Sequence, residues 1–402
     1  MTPTTTNQSD RLLLLLSLLI LLSAIPLDVM LPSFPALADH FHTGTGDIAL
    51  SISIFSIGFS IAQLFAGPLS DRFGRKKLLM IGIILALAGA TGCIFSHNYG
   101  AFIAYRIIQS VGCASFVLAQ AIVQDAYKGT EGVRTRIFTT TLSGIFIACS
   151  PLLGSILQST LGWQGSFILF AIISLIILFQ VYCQFEETSK THRGSMRFYG
   201  SAYLRILGTR SFLIYSVIGA FAFSCHLAFI IVSPAIFIVG LKMNNYEYSI
   251  VLMAYGVAYL VGGALASYAT KKMETQGQIK LGLLLMTTSG FLMKAMSHYQ
   301  ANASLTVLLP MLICTAGTVF VRPATATEAM NLFDEIAGTA AAAGSTIRFC
   351  AAGAISALIS VAGNNTILNL CWAIIASSFA SIFLFTYLRT TCVTRNPKAK
   401  SP

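Results

Sequence analysis

The chain has 402 residues, of which 55% are hydrophobic and only 10% charged, and its formal net charge is +11. A soluble domain carries about 25% charged residues, so these side chains cannot clothe a water-facing surface of this size. A soluble globular protein is excluded, and the mean hydropathy of +0.77 points to a chain integral to a membrane.

The first apolar run, LLLLLSLLILLSAIPLDVML, begins at Leu12. It is longer than a signal-peptide core, and no small-x-small cleavage site precedes further apolar sequence. It is expected to stay as a first span. Roughly 20 apolar residues cross the hydrocarbon core of a bilayer as a helix. Stretches of that kind fall at 12–35, 48–70, 78–96, 101–127, 137–160 and 164–185. After a polar gap they resume at 211–238, 249–270, 279–297, 303–327, 337–362 and 366–388. They are numbered spans 1–12 below. The alternating pattern of a membrane barrel is absent.

Basic residues orient the spans, because cytoplasmic loops are enriched in Lys and Arg. With the N-terminus inside, the inner segments hold Arg72, Arg75, Lys76 and Lys77, then Lys128, Arg134 and Arg136, then Lys190, Arg193, Arg197, Arg205 and Arg210. Lys271, Lys272, Lys280 and the basic tail follow, whereas the outer loops hold only Lys242. Both termini are expected in the cytoplasm. The positive charge then reflects topology and attraction to anionic lipids, not a nucleic-acid footprint.

The gap EETSKTHRGSMRFYGSAYLRILGTR reads as a basic linker with room for an amphipathic surface helix. It divides the chain almost in half. Aligning Gly67-Pro68-Leu69 with Gly263-Ala264-Leu265 gives a weak repeat at a spacing of 196 residues, with Ser267 at the position of Asp71. The expected fold is an all-α membrane protein, twelve transmembrane helices in two pseudo-symmetric six-helix halves. The halves are 12–185 and 211–388, with tails 1–11 and 389–402 and a linker 186–210.

GPLSDRFGRKK, at residues 67–77, concentrates charge in an otherwise apolar chain. It resembles the signature of the major facilitator superfamily between spans 2 and 3, G-x-L-x-D-R-x-G-R-[RK]. Gly67, Leu69, Asp71, Arg72, Gly74, Arg75 and Lys76 all match. LDVMLPSFPALADHF in span 1 and RIIQSVGCAS in span 4 are similar to patterns of the drug:proton antiporters, in particular the Bcr/CflA branch. SPLLGSIL followed by GWQGSF resembles that branch's span-5 pattern, with Gly144, Pro151 and Gly154 as helix-packing positions. Ser150 and Ser155 depart from it, standing where glycine is usual.

The resemblance implies alternating access and a conformational latch made of Gly67, Asp71, Arg72, Gly74 and Arg75 with Asp125 at the end of span 4. It implies a secondary transporter moving a small organic molecule across the bacterial inner membrane, by proton-coupled efflux or alternatively by import of an anionic metabolite or siderophore. No cofactor is expected beyond the proton gradient. The expected partners are small molecules, protons and lipids, for a monomer.

Ionisable residues inside a membrane are costly and mark function by default. Asp28 lies roughly 24 Å into span 1, and Arg106 roughly 9 Å into span 4 from the opposite side. They fall at similar depth, and the resemblance places both spans at the central cavity. Asp28 is the candidate proton-coupling carboxylate, with Arg106 beside it as a cavity residue. The rival reading has Asp28 packing or capping near Pro26 and Pro32.

Arg348 near the middle of span 11 and Arg322 in span 10 are candidate cavity residues for an anionic substrate. Alternatively, Arg322 pairs with Glu328, and Arg348 bonds helix carbonyls. Lys294 can snorkel, and His226 reads as packing. Nine scattered cysteines and six unclustered histidines give no metal site or disulfide framework. No phosphate-binding loop appears, which counts against an ATP-driven pump. No clustered catalytic groups favour an enzyme, and no charged ring favours a channel.

Overall fold

A computed structural model describes residues 4–119, 122, 129–187, 196–269, 272–298, 303–333, 336–362 and 366–395. Every described element is a helix. Eleven of these segments are long and apolar enough to cross a membrane. The fifth predicted stretch, outside that count, lies within the helix Gly129–Leu161. The chain is therefore the expected twelve-helix protein.

Span 1 is not one continuous helix. It runs as an α-helix over Thr4–Ala24, widens into a π turn at Ile25–Val29, tightens into a 3-10 turn at Leu31–Ser33, and continues as Phe34–Phe41. Pro26, Pro32 and Pro35 supply no backbone N–H, so an unbroken ladder cannot form there. The span consequently extends to Phe41, beyond the predicted end at 35. Span 4 is similarly composite, with α-helix Tyr99–Cys113 leading into a 3-10 turn at Ala114–Val117. Span 7 also carries a π turn: Arg210–Pro234 opens into Ala235–Gly240 just after Pro234.

The linker forms the amphipathic helix Met196–Leu207, burying Ala202 and Ile206 and exposing Leu204. Burial pushes the Tyr203 phenol above its ordinary value, which fits a seated apolar face.

The two halves repeat at a spacing of two hundred residues. His42 and Lys242 both adopt left-handed backbone, with φ of 52° and 55°. Asp47 then accepts a hydrogen bond from Gly44 N at 3.1 Å, and Glu247 accepts one from Asn244 N at 2.9 Å. Span 3 starts at Arg75 and span 9 at Thr275. The expected spacing of 196 is thus four residues short. In the corrected register Ser267 answers Gly67, and Lys271 answers Asp71.

Helix contacts repeat as well. A Cβ on Gly112 would lie 2.2 Å from Ala86 N, so the backbones of spans 3 and 4 touch. Gly282 and Gly317 do the same for spans 9 and 10, each Cβ meeting the other's carbonyl at 2.6 Å. Small residues permit such contact in lipid, where dispersion and close packing replace the hydrophobic driving force.

The chain forms two compact units. One holds spans 1–6 together with Ile230–Val257, the ends of spans 7 and 8 that flank their connecting turn. Its core joins Leu15, Leu19 and Leu22 of span 1 to Ile83 of span 3 and Phe170 and Ile177 of span 6. The other holds Gly200–Phe229 and the chain from Ala258 onward.

Candidate functional site

In the first unit, chemistry gathers at the break in span 1. Arg106 is wholly enclosed, with 0% exposure. It donates from Nη2 to the Pro26 carbonyl at 3.0 Å and from Nη1 to Gln109 Oε1 at 2.7 Å. Its guanidinium carbon sits 4.3 Å from the Phe55 ring centroid. The π turn exposes carbonyls that an ordinary helix would use, and Arg106 fills that vacancy with a charge-assisted bond. Arg106, expected as a cavity residue, is here bonded as a tie from span 4 to the broken span. Nor does it meet the carboxylate of Asp28, two residues further on.

Asp28 is half-buried, and no hydrogen bond or ion pair engages its carboxylate among the described residues. Tyr248 of span 8 lies within its electrostatic reach. The Tyr248 hydroxyl shares a 2.8 Å hydrogen bond with Ser233 Oγ of span 7. Sequence reasoning missed both residues, since neither is ionisable at ordinary pH nor near Asp28 in the chain.

Span 5 closes on the same region. A Cβ on Gly154 would lie 2.3 Å from the Val29 carbonyl, so only glycine lets this helix reach the π turn. Pro151 and Ser155 face span 8: Ser249 Oγ donates to the Pro151 carbonyl at 2.9 Å, and Ser155 Oγ donates to the Asn245 carbonyl at 2.7 Å. The two hydroxyls also lie within hydrogen-bond distance of each other, so either can give its single proton to the other in place of a carbonyl. Gly144 lies on the same helix, one of the three expected packing positions.

The loop between spans 2 and 3 has a partner that sequence did not reveal. Glu187, just beyond span 6, accepts hydrogen bonds from Arg75 N at 2.8 Å and Lys76 N at 3.1 Å. These are orphan donors at the start of span 3, where the helix dipole favours an anion. Gly74 turns the chain there with φ of 96°, and any Cβ on it would strike the Glu187 carboxylate at 2.4 Å. Arg75 also donates to Ser70 Oγ. Arg72 stacks on Phe73 at 5.3 Å. Gly67 has open space around it. Asp71 lies on span 2, and Asp125, its expected partner, falls outside the described residues.

In the second unit, Arg322 and Arg348 approach one ring, their guanidinium carbons 4.6 and 6.0 Å from the Phe223 centroid. Arg322 donates to Tyr259 Oη at 3.1 Å, and Arg348 to Ser345 Oγ at 3.1 Å. The alternative pairing of Arg322 with Glu328 does not form. His226 packs between the rings of Phe223 and Tyr259, at 6.0 and 5.5 Å. Lys294 sits over Trp372 at 4.3 Å. Among the described residues no group of three His, Cys, Asp or Glu side chains could hold a metal.

The family description Major Facilitator Superfamily matches residues 16–357, most of the chain. The chain belongs to the Major Facilitator Superfamily. Members of this superfamily are transporters, and so is this protein; it is not an enzyme. Among its relatives, a transporter of Rickettsia felis is 25% identical over 87% of this chain and 90% of its own length. The multidrug transporter MdfA of Edwardsiella ictaluri is 26% identical, covering 69% of this chain and 68% of its own. A D-xylose–proton symporter structure superposes with a TM-score of 0.78 at 18% identity, covering 93% of this chain and 97% of that one. The partially occluded inward-open form of the Escherichia coli xylose transporter XylE gives 0.70 at 16%, covering 94% of this chain and 97% of that one. At these identities the likeness speaks for the superfamily fold.

Proposed function

We propose that this transporter exports a small organic molecule across the bacterial inner membrane in exchange for protons, as a monomer of the drug:proton antiporter group. The observation that carries the reading is Asp28. It is a carboxylate at the break of a transmembrane helix, free of ion pairs and hydrogen bonds among the described residues, and so available to a proton. The relatives named multidrug transporters support an exporter, and the span-1, span-4 and span-5 motifs support the Bcr/CflA branch. The distribution of Lys and Arg supports cytoplasmic termini.

In this cycle Asp28 takes a proton from the outer side as substrate leaves and releases it inward before the next substrate binds. Tyr248 and Ser233 carry the state of that carboxylate to spans 7 and 8. The loop between spans 2 and 3 works as the latch, with Gly74 and the Glu187 clamp holding the start of span 3.

Import by proton symport is the second reading. It is favoured by Ser150 and Ser155, which stand where the exporter pattern has glycine. Reconstitution in liposomes decides between the two. Export by antiport requires an inward proton gradient to drive substrate against it. Symport requires substrate and protons to move together.

A further inference from the structure

We propose that the second unit contains an organic-anion site built on Arg322 and Arg348, and that the transported molecule carries a carboxylate beside an apolar or aromatic body. The word "transported" rests on the reading above; the site itself needs no proton coupling.

Three observations converge. First, two guanidiniums from different spans are directed at the same ring, that of Phe223, and are near enough to act on each other electrostatically. Like charges do not gather in a low-dielectric setting without compensation. Among the described residues none is provided: Arg322 is bonded to a phenol and Arg348 to a hydroxyl, both neutral.

Second, the guanidiniums are under-used. Each has five N–H donors, and each makes a single hydrogen bond among the described residues. The Nε–H of both is shut off from water with no acceptor. An unsatisfied buried donor is expensive, more so when charged. The planar fork of Arg matches a carboxylate two N–H groups at a time, so one oxyanion between the pair would satisfy donors and offset the repulsion together.

Third, the setting is aromatic. Phe223, His226 and Tyr259 form a continuous ring surface beside the two cations. Phe223 is itself buried with Phe349 edge-on against it, so a flat apolar body attached to the carboxylate would stack on the half-buried His226 and Tyr259 rings. A lipophilic cation finds the same face, but with two positive charges opposing it.

The test uses the full chain in lipid nanodiscs, with binding measured by calorimetry and no gradient applied. The probes are benzoate, citrate and glucuronate as anions, benzamide as a neutral match for benzoate, and tetraphenylphosphonium as a cation. At least one anion is expected to bind. Arg322→Gln and Arg348→Gln should each weaken it roughly tenfold to a hundredfold, the range for a charged hydrogen-bonded contact. Arg348→Lys should fall between wild type and Arg348→Gln, because a point charge replaces the fork. Thermal unfolding separates lost binding from lost folding, and Phe223→Leu tests the ring with both charges in place.

The proposal is overturned if none of the three anions binds, if benzamide or tetraphenylphosphonium binds as well as every anion, or if both Gln variants keep wild-type affinity. Proton-coupled transport of tetraphenylphosphonium by a protein that binds no anion would leave the transport reading standing and remove this one. Anion binding without proton movement in liposomes would do the reverse.

Discussion

Arg106 of span 4 bonds the Pro26 carbonyl, two residues before Asp28 in span 1, without meeting the Asp28 carboxylate. Arg106 holds the Pro26 carbonyl and Gln109 inside the buried core. Arg106→Gln should therefore lower stability by about 2–3 kcal/mol, the range for losing a charged buried hydrogen bond, seen as a lower Tm in detergent. Asp28→Asn keeps the size and removes the titration. It should leave Tm near wild type and abolish substrate-driven proton flux in liposomes; flux at the wild-type rate would remove Asp28 from coupling. Tyr248→Phe removes the hydroxyl that Asp28 feels and Ser233 bonds. It should change the pH dependence of transport while Asp28→Asn abolishes it. At this scale the ionisable residues were legible, because charge inside an apolar run is conspicuous. Their partners were not, since a carbonyl and two neutral hydroxyls look ordinary in a sequence.

The elements themselves follow from apolar length, which is why their number and order were readable. Their ends were less so. Span 1 outlasts its predicted end because Phe34–Phe41 keeps Phe34, Leu37 and Phe41 on one buried face despite Asp39 and His40 on the other. Glu187 shows what local pattern cannot disclose: an acidic residue after span 6 caps span 3, over a hundred residues earlier. Glu187→Gln removes the charge at a helix N-terminus and one of the two acceptors, since an amide nitrogen cannot take an N–H. The lost charge should cost about 0.3–1 kcal/mol, measurable as a fall in Tm that grows weaker with salt. Gly74→Ala should cost more, about 1–3 kcal/mol for backbone held in a region L residues avoid, because the new methyl also displaces the Glu187 carboxylate. The repeat at two hundred residues was similarly hidden. The turns share left-handed backbone and an acidic cap, but His42 and Lys242, or Gly44 and Asn244, share no side-chain chemistry.

For the whole molecule, the ends of spans 7 and 8 near Lys242 pack with the first unit through Ser155 and Ser249. If transport requires these spans to part, a Ser155→Cys, Ser249→Cys pair in a cysteine-free background should block it on oxidation and restore it on reduction; unchanged transport in the oxidised protein would show that the contact persists through the cycle. Cysteine placed at Lys242 should react with an impermeant maleimide from outside intact cells, and cysteine at Lys77 only after permeabilisation. The reverse pattern would invert the topology.

Sequence by itself determined the membrane location, the twelve spans, the superfamily and the ionisable residues inside the bilayer, because each depends on composition, length or a local motif. Tertiary structure alone decided what those residues touch. It bonded Arg106 to a broken helix, left Asp28 without a hydrogen-bonding or ionic partner among the described residues, and set Arg322 and Arg348 around one phenyl ring. Such contacts join residues tens to hundreds of positions apart, and only the packing of whole helices brings them within bonding distance.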